Sequence, residues 1–258
     1  MSKLTEVIFN LIGTLMDHGG KAPSSAVKSG FLTYGIHVPQ HIISESAGQT
    51  MYNQVNILCQ NPHIIEQWDI INARQFKQSD INMISGKVYR RLEEEIKTHA
   101  KLIDGAYELT QELRDSGVKI GITSEYGYHI THSVLPYLVS QGLVWDNLVC
   151  IDQVEHTTES ILATWFNSNR CYNSEREYLK IGSTDLDIWE GLVVGIPTCN
   201  IVDSSQLMGL TNMELAGTIR EKYNATAGEI IKRWERINCT YHTKTVGDVS
   251  VLLAANDC

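Results

Sequence analysis

The chain has 258 residues, 43% of them hydrophobic and 20% charged, with a formal net charge of −9 at pH 7. That length suits one large domain or a domain with a smaller one inserted, and the composition is that of an ordinary globular protein. The acidic balance argues against nucleic acid or an anionic membrane as the main partner. It leaves room for a small anion held by backbone amides.

In chain order, MSKLTEVIF has no long apolar leader and no small-residue cleavage site, and no stretch approaches a membrane span. A cytoplasmic protein is therefore expected. Short apolar runs that read as strands occur at 6–10, 118–123, 148–151, 178–182 and 198–202. Amphipathic helical patterns lie between them at 106–116, 128–140, 159–167 and 185–194. Strand and helix in alternation predict an α/β fold, a Rossmann-like parallel sheet with helices on both faces. Ligands of such sheets sit at the carboxyl ends of the strands, which would gather Asn10, Thr123, Asp152 and Ser183.

The stretch from about Ser24 to Lys101 breaks the alternation, with helical periodicity clearest at 64–76 and 81–96. In RRLEEEIK, Arg91 and Glu95 are four apart and support an exposed helix face. Residues 21–100 are thus expected to form an inserted helical cap, and 1–20 with 101–258 the core. The tail reads as helices at 212–223 and 227–236 and a short strand near 241–244. Six scattered cysteines (Cys59, Cys150, Cys171, Cys199, Cys239, Cys258) form no C-x-x-C pair and read as reduced core thiols. Asn224-Ala-Thr226 and Asn238-Cys-Thr240 match the glycosylation pattern, by chance if no secretory signal is present.

The segments VIFNLIGTLMDHGGKAP, LIDGAYELTQELRDSGVKIGITSEYGY, YLKIGSTDLDIWEGLVVGIPTCNIV and SSQLMGLTNMEL, in that order and spacing, resemble the haloacid dehalogenase superfamily. Within it they resemble phosphonoacetaldehyde hydrolase (phosphonatase). The resemblance implies a Rossmann-like core, a helical cap and a homodimer formed through the cap. It also implies a reaction in which an aspartate attacks phosphorus, a cap lysine forms a Schiff base with the aldehyde, and magnesium bridges carboxylates and phosphoryl oxygens.

Carried over position by position, the resemblance finds the catalytic letters changed. Asn10 stands where the nucleophilic aspartate would be, and a neutral amide is a poor nucleophile and a weaker ligand for a hard dication. Met51 falls at the Schiff-base lysine and Gln54 at a nearby histidine; a thioether forms no imine and packs instead. Lys21 is a conceivable replacement from the linker, though an exposed lysine is usually a solvated charge. Thr123 and Ser124 keep the second motif, and strand-end hydrogen bonding explains them equally well. Thr158 occupies the position of the charge-balancing base, with His156 nearby. Ser183 replaces the first metal carboxylate. Asp185 and Asp187 are weak metal candidates, because acids in a helix's first turn are favourable without a metal.

The ligand would lie among Asn10, Ile12, Thr123, Ser124 and Met51. Scaffold positions such as Gly13, Thr14, Gly182 and Gly191 remain, so the departures fall on one machine. The favoured reading is a pseudoenzyme without a cofactor, which binds a small molecule or a protein in the cleft between cap and core. The first alternative is a hydrolase with relocated chemistry on Asp17, Asp185 or Asp187, the only case that calls for magnesium. The second is a structural dimer with a vestigial cleft.

Overall fold

The run VIFN is apolar on both sides of its backbone, which suits a strand buried on both faces. It forms the last residues of β1 (Leu4–Asn10), at the centre of a six-stranded sheet. The other strands are β2 (Lys119–Ser124), β3 (Asn147–Cys150), β4 (Glu177–Gly182), β5 (Thr198–Ile201) and β6 (Tyr241–Thr243). The computed structural model describes residues 4–154 and 177–256. The helix expected at 159–167, together with Thr158 and His156, lies outside the described residues.

The sheet order is β3-β2-β1-β4-β5-β6, and all the pairs are parallel. The chain steps from β1 outward to β3, then returns to the other side of β1 for β4. That reversal beside β1 is where a doubly wound sheet opens a crevice. Asn10 pairs in register with Thr123, and Gly182 ends the strand on the other side.

Five helices intervene between β1 and the next core helix: α1 (Lys21–Leu32), α2 (Gln40–Glu45), α3 (Met51–Leu58), α4 (Pro62–Asn72) and α5 (Gln78–Thr98). In α5 the buried residues Asp80, Ile84, Val88, Leu92 and Ile96 recur every fourth position, one stripe along the helix. Val88 packs against Gly30 of α1. The sheet is flanked by α6 (Ala106–Asp115), α7 (Tyr128–Ser140) and α8 (Asp185–Val194). The tail adds α9 (Asn212–Ala216), α10 (Arg220–Arg236) and α11 (Asp248–Asn256).

Several local expectations are corrected. The helix read as 64–76 stops at Asn72 with Ala73 left-handed (φ 51°). Phe76 folds back to stack on Trp68, ring centroids 4.2 Å apart, and Arg74 pairs with Asp80 at the start of α5. Arg91 pairs with Glu94, not Glu95, and Glu95 instead faces His99. The third strand ends at Cys150, because residues 151–153 wind into a 3-10 turn that lets Asp152 accept the Tyr128 N–H. The break in the tail falls after Ala216, where Thr218 Oγ1 donates to the Glu214 carbonyl, and α10 then runs unbroken through Asn224–Thr226. α11 was not anticipated. Cys59, Cys150, Cys199 and Cys239 are free thiols.

Candidate functional site

The ends of β1, β2 and β4 bring Asn10, Thr123 and Ser183 together, all buried. Asn10 Nδ2 donates to the Ile12 carbonyl at 3.4 Å, and Ser183 Oγ donates to the same oxygen at 3.4 Å. Thr123 Oγ1 donates to the Phe9 carbonyl at 3.4 Å. Ser124 turns away from this group: its Oγ accepts from Thr131 Oγ1 (2.9 Å) and from the Tyr126 N–H (3.2 Å). Met51, the first residue of α3, is buried in the main hydrophobic cluster. Gln54, one turn on, donates to the Ile43 carbonyl and to Ser46 Oγ.

A cation that the motif reading passed over lies at the centre. Lys180, in β4, is fully buried, and its ammonium meets Thr123 Oγ1 at 2.5 Å, Glu190 Oε2 at 3.1 Å and Asp187 Oδ1 at 3.2 Å. Those three acceptors match its three N–H donors. Burial alone would pull the ammonium down, but Glu190 and Asp187 together outweigh it and hold it above the ordinary lysine value. The sequence signal was present: one lysine inside the apolar strand YLKIG, where a solvated charge has no place.

Each acid weighed as a relocated nucleophile or ligand is already engaged. Asp187 Oδ2 accepts from the Ser183 N–H, the Thr184 N–H and Thr184 Oγ1, which ties down the start of α8. Asp185 faces the other way, paired with Arg233 at 2.5 Å and accepting from Trp234 Nε1 at 3.1 Å. Asp17 accepts the N–H groups of Lys21 and Ala22 at 2.9 and 3.0 Å, and so caps α1 from a distance. Lys21 reaches outward to Glu214 at 2.8 Å.

Magnesium, which the family resemblance implies, would have to be held by this donor set. A hard dication wants several oxygen ligands, among them carboxylates. Here the Ile12 carbonyl already receives two donors, the strand tips present an amide and a hydroxyl, and the nearest carboxylates are held by Lys180 and backbone N–H groups. The residues do not fit the metal.

Asn10, Thr123, Thr184, Asp187 and Glu190 line a cavity of about 10 Å³, about the room for one water molecule. Glu125 lines it from the end of β2 and Gly48 from the helical segment. A Cβ at Gly48 would lie 2.7 Å from Thr184 Oγ1, so this loop rests directly on the start of α8. Glu125 is pushed up to about 8, first by burial and also by Asp187, against the pull of its own backbone N–H, Gln206 and Lys180. Asp17 is pushed up to about 7 by burial, against the N–H groups of Ala22 and Lys21.

These raised carboxyls give a signed expectation. A raised acid contributes stability that is complete below the unfolded carboxyl range and is lost as pH rises through the folded value. His99, lowered mainly by burial, acts in the opposite sense only at lower pH. Unfolding free energy is therefore expected to fall from about pH 6 to about pH 8.5, and Glu125→Gln should flatten the upper part of that decline. Denaturant titrations across the window would contradict this if stability stayed level or rose.

No protein-family model matches the chain. It is 23% identical over 253 residues to a phosphonoacetaldehyde hydrolase of Lysinibacillus sphaericus, covering 97% of this chain and 94% of the relative. A solved phosphonoacetaldehyde hydrolase-like protein of Oleispira antarctica superposes with a TM-score of 0.89 at 20% identity, over 98% of this chain and 92% of the other. A haloacid dehalogenase-like hydrolase of Streptococcus pneumoniae superposes at 0.66 and 14% identity, over 98% and 100%. Along almost its whole length the chain is similar to phosphonoacetaldehyde hydrolases, and it shares the fold of haloacid dehalogenase-like hydrolases.

Proposed function

We propose that this phosphonatase-like protein does not hydrolyse phosphonates and serves as a binding or regulatory protein. The observation that carries the reading is the state of the strand tips. An amide stands at Asn10, and the candidate acids Asp17, Asp185 and Asp187 are each held by N–H groups or a cation. An amide oxygen does not open the covalent route, and a held carboxylate would have to abandon its partners to do so. Residues 21–100 act as the cap, and the occupant of the cleft beneath is a small, neutral or weakly polar molecule, or a protein segment. The protein is a cytoplasmic homodimer formed through the cap. Exposed Ile57, Ile70 and Ile71 on α3 and α4 support that assembly, and light scattering of the purified protein tests it.

Relatives named phosphonoacetaldehyde hydrolase favour a second reading, an active hydrolase. Phosphate release from phosphonoacetaldehyde with magnesium separates the two. The expected result is no turnover above buffer, since loss of one member of a catalytic unit costs up to about 10⁶ in rate. Turnover by the purified chain that survives removal of contaminants would overturn the proposal. The variant Asn10→Asp/Met51→Lys/Ser183→Asp is expected to gain measurable release if the scaffold still positions those groups.

A further inference from the structure

Four polar residues in succession after β5, Asp203, Ser204, Ser205 and Gln206, are buried, so each needs a partner inside the fold. Tyr223 Oη donates to Asp203 Oδ1 at 2.6 Å, and Ser204 Oγ donates to the Gly13 carbonyl at 2.6 Å. Ser205 Oγ accepts the Met208 N–H at 3.0 Å, and Gln206 Nε2 donates to Glu125 at 3.2 Å. The N–H groups of Val202 and Asp203 donate to the carbonyls of Thr243 and Lys244, which fastens the start of this stretch to β6. Its other partners belong to the two linkers, 11–20 and 99–105, that join the helical segment to the sheet. In the first linker the Gly19 N–H donates to the Ser204 carbonyl at 2.9 Å, and His18 Nδ1 lies 2.8 Å from the Leu210 carbonyl oxygen. Just beyond it, Lys21 pairs with Glu214 at 2.8 Å. In the second linker Asp104 Oδ2 accepts from Asn212 Nδ2. Gly209 rests on α2, where a Cβ would lie 3.1 Å from Gln40 Nε2 and 3.2 Å from Ser44 Oγ. The linkers also bond to each other, Asp17 N–H to the Lys101 carbonyl at 3.2 Å and Ile103 N–H to the Leu15 carbonyl at 2.9 Å.

We propose that residues 203–214 are a strap that fixes the helical segment on the sheet by holding both linkers at once. A segment joined to a body by two crossings of the chain swings only if both crossings change their backbone angles. Here each crossing is bonded to one and the same stretch, and that stretch is anchored on β6 and, through Tyr223, on α10. Neither linker is free to move while the strap is in place. The polar run at 203–206 suits this task, because apolar side chains would pack in the same space without bonding to the linker carbonyls and N–H groups. The helical segment and the sheet therefore behave as one body, and the strap is the part that must release before the linkers do. The restraint holds whether or not the cleft takes an occupant, so it does not depend on the non-catalytic reading.

The test is residue-resolved amide hydrogen exchange on the full chain. Ser204→Ala/Asn212→Ala/Glu214→Gln removes the strap's side-chain bonds to Gly13, Asp104 and Lys21 and leaves its backbone bonds in place. The amides of Asp17 and Ile103 bond between the linkers and not to the strap. In the triple variant they should exchange about tenfold faster, the effect of losing a few bonds of ordinary strength from a locally opening unit. Gly117→Ala, a strained change in a turn far from the strap with nothing near the added Cβ, should leave both amides at their wild-type rates. Residual dipolar couplings of the wild type should fit a single alignment for α5 and the sheet. Wild-type exchange rates at both linker amides in the triple variant overturn the inference. So does equal acceleration in the triple variant and Gly117→Ala, which would mean that the linkers open only when the whole protein unfolds, and so do wild-type couplings that need two alignments. If the triple variant does not fold, Asn212→Ala alone, at an exposed contact, decides by the same criterion at Ile103, with about threefold acceleration expected.

Discussion

Replacing Lys180 by methionine is expected to destabilise the protein by roughly 3–5 kcal/mol, the range seen when one partner of a buried ion pair is removed. The volume of the side chain is nearly preserved, so packing contributes little. The loss comes from Asp187 and Glu190, left buried without their shared cation, and from Thr123, left without its donor. Two further results separate this cause from simple damage to the strand. Lys180→Met should be more stable in mild acid, because the stranded carboxyls take up protons in the folded state and the folded form then binds more protons than the unfolded one. The triple variant Lys180→Met/Asp187→Asn/Glu190→Gln should recover most of the loss, since neutral amides keep much of the hydrogen bonding without the buried charge. Chemical denaturation of the two variants at neutral and acid pH checks both. A triple variant no better than the single one would show that the charges are not the reason.

The second large effect is expected at Gly19, in the linker that leaves β1 for α1. Its backbone is left-handed (φ 79°), and a Cβ there would lie 2.1 Å from the Leu210 carbonyl oxygen and 2.7 Å from the carbonyl carbon. The obstacle is main chain, which cannot swing aside as a side chain does. The linker is pinned on both sides of it: the Gly19 N–H donates to the Ser204 carbonyl at 2.9 Å, and His18 Nδ1 lies 2.8 Å from the Leu210 oxygen. Gly19→Ala should therefore cost roughly 2–6 kcal/mol, combining left-handed strain with overpacking. Gly117 isolates the first contribution, because it has nearly the same angle (φ 80°) and nothing within 4 Å of its would-be Cβ. Gly117→Ala should cost only about 1 kcal/mol. Equal losses at the two positions, measured by thermal or denaturant unfolding, would mean that the contact with Leu210 is unimportant.

The strands were legible because burial on both faces of a parallel sheet demands continuous apolar runs, and VIFN and KIGIT supply them. The long helices were legible from spacing, as in the fourth-residue stripe of α5. What failed was local. The end of α4 depends on Phe76 reaching back to Trp68, a contact that hydrophobic periodicity does not encode. Arg91 had two acids within reach, and only the side-chain geometry selected Glu94. The split between α9 and α10 falls where Thr218 Oγ1 donates to the Glu214 carbonyl at the end of α9.

By itself, the sequence determined the kind of fold and which chemical groups the strand tips can offer, because residue type settles whether a position carries a carboxylate, an amide or a thioether. Asn10 is an amide in any conformation. Tertiary structure decided which charges meet. Lys180 and Glu190 are ten residues apart in the chain and Thr123 lies 57 residues earlier than Lys180, yet one ammonium joins all three with Asp187. Glu125 belongs to none of the motifs read from the sequence, and its burial beside that cluster shows only in the fold. Whether an ionisable group is charged, neutral or available depends on desolvation and on neighbours distant in sequence, and only the folded chain brings those together.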